Sequence, residues 1–220
     1  MCHVITEDFL CEISMRAKAV LQKAVHDDCD RFSNFDRASL TKTFNGYCGL
    51  AQCMIGLFID EHFDGQSVKI APFASQSLED WWFGHAAVVI TAGQGEGSRS
   101  FIVDPTFVQF DQAEAIGITG PVQILKRTES GAALAKKLSE TGVAEIDGAL
   151  ADLYASAFRR QGISPFRCPK DALQFLRNPP EHPYHFSYSG SGTMYDADML
   201  RERGYTICKN TSLPCIQRTP

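Results

Sequence analysis

Two short apolar segments, separated by a glycine-rich stretch, constrain the fold of this 220-residue chain more than any other feature. Residues 85–90 (HAAVVI) and 100–104 (SFIVD) are rich in β-branched residues and apolar on both faces, which is typical of central strands. The stretch between them, TAGQGEGSR, has three glycines in five residues and no apolar run. The pattern predicts an antiparallel hairpin with a long tip, whose residues 91–98 lie outside the core.

The hairpin places two polar residues close together. His85 opens the first segment and Asp104 closes the second. If residue 90 pairs with residue 99 in an antiparallel ladder, then residue 85 pairs with residue 104, and directly opposed side chains share one face with Cβ atoms ~5 Å apart. An imidazole and a carboxylate form a hydrogen bond at this separation. The register is an assumption of the prediction, because a slip of one residue would put the two side chains on opposite faces.

Helices are predicted on both sides of the hairpin. Apolar residues recur at roughly helical spacing through residues 8–27, which predicts an amphipathic helix. Residues 45–49 (NGYCG) are typical of a turn, and the apolar spacing of residues 50–58 predicts a buried helix that begins close to Cys48. The same spacing predicts helices at 131–140, 148–160, 170–177 and 194–203, with a strand at 121–125 and a loop at 179–192.

The expected fold class is therefore α+β, in which a helix that carries Cys48 packs on a small antiparallel sheet and further helices follow. No linker or repeat divides the chain, so residues 1–220 are expected to form a single domain. The formal charge of −5 argues against a nucleic-acid partner, because phosphate binding needs a net-basic face. No apolar run reaches the ~18 residues that span a bilayer.

The chain has eight cysteines but no CxxC pair and no histidine at zinc-finger spacing, so neither a metal nor a cofactor is expected. The N-terminal residues lack the apolar run of a secretory signal. We therefore expect mostly reduced thiols and a cytoplasmic location. A protein that is secreted without a cleaved signal, as an effector into a host cytosol, would have the same pattern.

Cys48 has the surroundings that a cysteine nucleophile needs. A helix N-terminus lowers the pKa of a thiol, because unpaired N–H groups and the helix dipole favour negative charge. Gly46 and Gly49 let the backbone and a substrate come close, and the backbone N–H of Cys48 is a natural oxyanion donor. His85 would then be the base, and Asp104 would hold its imidazole in the correct tautomer.

The segments NGYCGLAQC, GHAAVVI and FIVDPTFVQF, in this order, resemble the transglutaminase-like and papain-like cysteine superfamily. They are most similar to bacterial effector and toxin glutamine deamidases and to effector cysteine proteases. The resemblance covers about residues 44–110, with helical extensions before and after. It implies that Cys48 is the nucleophile, His85 the base and Asp104 the orienting residue. It also implies virulence-related deamidation or transamidation of glutamine, in a protein or a small molecule, through a thioester.

The resemblance is incomplete at the oxyanion hole. Papain-type proteases place a glutamine before the cysteine, where this chain has Lys42. Asn45 could substitute for it, or Trp81 or Trp82, because transglutaminases use an indole. The departure weakens a protease function more than a transglutaminase-like one.

Alternatives to each assignment stay open. Cys48 could be a buried structural thiol, and Cys53 is expected in the core. The rival bases are His182 and His185, and the tryptophan pair before Gly84 could be packing. The alternative functions are proteolysis, acyl transfer between small molecules, and a catalytically dead binding module of the same fold.

Overall fold

A computed structural model describes residues 5–28, 47–63, 67–73, 85–92, 97–108, 129–157, 169–178, 201, 204–208 and 213–218. The described part has five helices, which are α1 (Glu7–Asp28), α2 (Cys48–His62), α3 (Glu129–Thr141), α4 (Gly148–Ala157) and α5 (Pro169–Arg177). Its strands are β1 (Ser67–Phe73), β2 (His85–Ala92), β3 (Arg99–Val103), β4 (Val143–Glu145), β5 (Tyr205–Ile207) and β6 (Ile216–Arg218).

The fold class is α+β, as the sequence predicts. Strands β1 to β4 form one sheet in the order β1-β2-β3-β4, and each neighbouring pair is antiparallel. Strands β5 and β6 form a separate antiparallel hairpin. Seven predicted elements that fall on described residues are confirmed, each with small shifts at its ends, namely α1, α2, α3, α4, α5, β2 and β3.

The hairpin of β2 and β3 has a different register from the one assumed. Ile90 pairs with Phe101 rather than with residue 99, so the predicted register is wrong by two residues. The last pair of this ladder is Val88 with Val103, which leaves His85 beyond it, paired with Phe73 of β1. Because side chains alternate with a period of two, a shift of two keeps His85 and Asp104 on the same face.

The sheet separates two apolar clusters, because alternate residues of its strands point to opposite faces. We define the α1–α2 cluster as the buried residues that pack with these two helices, among them Leu10, Leu21, Met54, Ile59, Val88, Ile90, Phe101 and Val103. We define the α3–α5 cluster as those of the opposite face, among them Ala87, Val89, Ile102, Leu138, Ala144, Tyr154 and Leu176. The sheet is therefore covered on both faces.

Four strands were not predicted. Residues 67–73 (SVKIAPF) form β1, although the segment contains a lysine and a proline. Strands β4, β5 and β6 have three residues each, which is too short for a period-two pattern to emerge. The predicted strand at 121–125, the predicted loop at 179–192, most of the helix at 194–203 and residues 93–96 of the tip lie outside the described residues. The first two residues of the predicted tip, Thr91 and Ala92, continue β2 instead, and Ala92 is buried in the α1–α2 cluster, so the prediction that the tip lies outside the core is wrong for Ala92.

The hairpin of β5 and β6 carries a disulfide between Cys208 and Cys215. The expectation of mostly reduced thiols does not hold for this pair. Cys11, Cys48 and Cys53 are reduced cysteines among the described residues. None of the helices in the described ranges has the length and apolarity that a bilayer crossing requires.

Gly142 ends α3 in a conformation that favours glycine. Its φ is +70°, in the left-handed region, and its N–H donates to the Leu138 carbonyl at 2.7 Å. Its own carbonyl accepts the N–H of Asp104, also at 2.7 Å. A Cβ here would collide with Ser14 Oγ of α1 and lie 2.8 Å from Pro105 Cα. The turn after α3 thus fixes the backbone of Asp104, the residue that follows β3, through this hydrogen bond.

We expect Gly142→Ala to lower the free energy of unfolding by ~1–3 kcal/mol, because it adds left-handed strain and a clash with a fixed backbone atom. Urea unfolding of the purified variant measures the effect. The matched control is Gly148→Ala, where nothing lies within 4 Å of the new Cβ and little change is expected. Equal stability of the two variants would contradict this account of the turn.

Candidate active site

Cys48 is the first residue of α2, the position that the sequence predicts for it. Tyr47 occupies the N-cap and makes no side-chain capping bond, while its carbonyl accepts the N–H of Ala51 at 3.0 Å and so starts the helix. Cys48 is reduced and half-buried. A sulfur at this point lies in the positive field of the helix N-terminus, which favours its anionic form.

His85 and Asp104 meet at the end of the sheet where β2 begins and β3 ends. His85 is 2% exposed and Asp104 is fully buried. The imidazole Nε2 lies 2.7 Å from the Asp104 Oδ2 atom, which is the hydrogen bond that the sequence predicts for this pair. The prediction that they bond on one face is confirmed, although the register that led to it is wrong.

The side chains of Cys48 and His85 also form a hydrogen bond. Since Nε2 faces Asp104, the remaining ring nitrogen, Nδ1, is the one left for the sulfur. The structure thus brings Cys48, His85 and Asp104 into one hydrogen-bonded chain. Their catalytic roles stay predictions.

The electrostatics of the site favour a protonated imidazole. Burial lowers the pKa of His85, but the charge and hydrogen bond of Asp104, with a further contribution from Cys48, outweigh burial and raise the pKa to about 9. At neutral pH the imidazole is therefore a cation that lies between a carboxylate and a sulfur.

Asp104 has two further side-chain donors, which the sequence reasoning missed. Thr106 Oγ1 donates to Oδ1 at 3.0 Å, and the Tyr154 hydroxyl of α4 donates to Oδ2 at 2.9 Å. Thr106 stands two residues after Asp104, and such local side-chain bonds are common at Asp, Ser and Thr turns, so its role had a sequence signal. Tyr154 had none, since it is 50 residues away.

Lys18 of α1 lies near Asp104. Its ammonium group donates to the carbonyl oxygens of Ser139 and Glu140 in the last turn of α3, the second at 2.9 Å. Burial lowers the pKa of Lys18, and the nearby Asp104 opposes that effect. The cation both satisfies helix-end carbonyls and contributes positive potential at the buried carboxylate.

The other candidates divide into two groups. Cys53 is fully buried in the α1–α2 cluster, as a core residue is expected to be. Asn45, Trp81 and Trp82, together with the rival bases His182 and His185, lie outside the described residues. Within the described ranges, no group of three or more His, Cys, Asp or Glu side chains is placed to hold a metal ion.

Comparisons of the chain with protein-family models, with curated proteins and with solved structures find no match.

The raised pKa of His85 predicts a pH-dependent stability. The folded-state pKa of about 9 exceeds the ordinary value of 6.5, so the stabilisation is fully present below pH ~6.5 and is lost as the pH rises through ~9. The difference sets an upper bound of about 3 kcal/mol on this loss. Because Cys48 also contributes to the raised pKa of His85, we specify the Cys48→Ala background, where Asp104 still raises that pKa.

Urea unfolding in this background, with reductant, from pH 6 to pH 10 measures the effect. The free energy of unfolding should fall with pH, and the added change His85→Gln should abolish most of the fall. The added change His62→Gln, at an exposed histidine in the last turn of α2, should leave it in place. A fall of the same size with and without His85 would contradict the assignment.

Proposed function

We propose that this chain is a cysteine-dependent acyl-transfer enzyme that acts on an amide, with glutamine deamidation or transamidation as the favoured reaction. The observation that carries the proposal is the hydrogen-bonded chain of Cys48, His85 and Asp104 at the N-terminus of a helix. A nucleophile, a base in contact with it and a third group that orients the base form the constellation that acyl transfer requires.

In the first half-reaction the Cys48 thiolate attacks the carbonyl carbon of a carboxamide, and a C–S bond forms. The oxygen of the tetrahedral intermediate becomes negative, and the backbone N–H of Cys48, the first residue of α2, would donate to it. The C–N bond then breaks. The His85 imidazolium transfers its proton to the departing nitrogen, and ammonia or an amine leaves a thioester behind.

In the second half-reaction, neutral His85 takes a proton from the attacking group. Water gives a carboxylic acid, which is deamidation, whereas an amine gives a new amide, which is transamidation. The C–S bond breaks and Cys48 returns to its thiolate form. Throughout, the Asp104 carboxylate keeps the Nε2–H of the imidazole directed at itself, so that Nδ1 faces the sulfur.

We also infer a papain-like or transglutaminase-like core. In its favour, a helix that begins with the cysteine accompanies an antiparallel sheet, with the histidine at the start of one strand and the aspartate after the next. From the sequence resemblance we further propose that the chain acts on a protein or small-molecule amide, either in the cytoplasm or as a secreted bacterial effector in a host cytosol. Proteolysis and a dead binding module are separate outcomes of the experiments below, and acyl transfer between small molecules is the remaining alternative.

We predict that Cys48→Ala abolishes activity and keeps the fold, since loss of the nucleophile typically costs several orders of magnitude in rate. Intact-mass spectrometry after incubation with candidate glutamine-containing proteins distinguishes the reactions. A gain of ~1 mass unit means deamidation, a larger gain with an added amine means transamidation, and fragments mean proteolysis. The matched control is Cys53→Ala, which should stay active. Activity lost in Cys53→Ala and retained in Cys48→Ala would identify Cys53, and not Cys48, as the nucleophile.

A dead binding module is tested without any substrate. Iodoacetamide at pH 6 should alkylate Cys48 faster than Cys11, whose pKa is raised by burial, because thiolate character controls the rate. Peptide mapping assigns each alkylated thiol. Equal rates at the two cysteines would favour a binding module over an enzyme.

We expect Asp104→Asn to lower the rate by ~10²–10⁴ with the shape retained, because the imidazole loses the carboxylate that fixes its tautomer. The same amide assay and a circular dichroism spectrum measure the two effects. Asp147→Asn is the matched control, since the exposed Asp147 only caps α4 through the Leu150 N–H at 2.8 Å and asparagine caps equally well. A fully active Asp104→Asn variant would remove Asp104 from the proposed mechanism.

A further inference from the structure

The Oδ2 oxygen of Asp104 accepts two hydrogen bonds from different parts of the fold. One comes from His85 Nε2 at 2.7 Å and the other from the Tyr154 hydroxyl at 2.9 Å. Thr106 occupies the second oxygen, Oδ1, at 3.0 Å. The tyrosine and the histidine therefore share one acceptor atom, whereas the threonine does not compete with either of them.

Tyr154 is well fixed in this position. Its side chain is fully buried in the α3–α5 cluster, and its ring packs against Phe107 with centroids 5.7 Å apart. Burial and the charge of Asp104 raise the pKa of the phenol well above its ordinary value of 10. The hydroxyl therefore keeps its proton throughout the range in which His85 titrates, and it remains a donor.

We infer that Tyr154 is a positioning residue that sets the proton affinity of His85 through the shared Asp104 oxygen. A donor to a carboxylate draws negative charge from the oxygen it bonds. The imidazolium on the same oxygen then meets a weaker attraction than an unshared carboxylate would provide. The hydroxyl thus limits how strongly Asp104 holds the proton on His85, and it fixes the direction in which Oδ2 points.

Other charged groups at the site do not duplicate this effect. Cys48 contacts His85 from α2 and raises its pKa, while Lys18 of α1 acts on Asp104 through space. Thr106 donates to the other carboxylate oxygen. Among the described donors to Oδ2, Tyr154 is the one that shares this oxygen with the imidazole. It therefore weakens the interaction of Asp104 with His85 at the oxygen that faces the imidazole proton.

The role in catalysis depends on the proposed function, but the effect on His85 is measurable without substrate. Titration of ¹³C-labelled histidine by NMR, with the His85 signal assigned by its loss in His85→Gln, gives the pKa directly. Tyr154→Phe keeps the ring and removes the hydroxyl. The pKa of His85 should rise by about one unit in this variant. The alkaline limb of the Cys48 alkylation profile should shift upward with it.

The matched control is Tyr205→Phe, the same change at a tyrosine buried in the α1–α2 cluster. It should leave the pKa of His85 unchanged. If Tyr154 served only packing, its phenylalanine variant would change the melting temperature and leave the pKa and the alkylation profile where they are, which would overturn the inference.

A second substitution keeps the test decisive if Tyr154→Phe fails to fold. Site-specific 3-fluorotyrosine at position 154 retains the hydroxyl and makes it a stronger donor, so the pKa of His85 should fall. An unchanged or raised pKa in the fluorinated protein would overturn the inference. A protein that shows both shifts yet turns over no amide would refute the proposed function and leave the role of Tyr154 intact.

Discussion

The buried carboxylate of Asp104 is the interaction on which the rest of the structure depends. Removing a carboxylate from water costs several kcal/mol unless hydrogen bonds and opposite charge replace its hydration. Here the replacements come from separate segments: His85 from β2, Thr106 from the turn after β3, and Tyr154 from α4. The backbone N–H of the aspartate is held by Gly142 after α3. One charge therefore ties together elements that are distant in the sequence.

The position of this charge explains why the site joins both layers of the fold. Cys48 begins a helix of the α1–α2 cluster, whereas Tyr154 belongs to the α3–α5 cluster on the other face of the sheet. His85 lies past the last pair of β2 with β3, at the end of the sheet, where an imidazole can contact the sulfur and the carboxylate at once. Helices on one face alone could not supply both Cys48 and Tyr154.

The sequence predicts the part of this site that depends on local pattern. A turn before an apolar helix identifies Cys48, and strand ends identify His85 and Asp104, because helical and strand periodicity are local properties. The register was wrong by two residues, since the length of the glycine-rich tip does not fix the pairing, and the shared face survived only because the error was even. Gly142 and Tyr154 could not be predicted, because only the folded chain brings them to Asp104.

The same electrostatics suit both halves of the proposed reaction. Before acylation, the negative charges of Asp104 and the Cys48 sulfur both raise the pKa of His85, so the imidazole is protonated and can act as an acid toward the departing nitrogen. A thioester carries no charge on sulfur. Once it forms and ammonia takes the proton, one of the two anions that hold a proton on His85 is gone, and its pKa falls. The neutral imidazole is then the form that activates water. In the proposed mechanism, acylation of Cys48 itself would therefore switch His85 from acid to base, while Asp104 and its donors keep the ring in place.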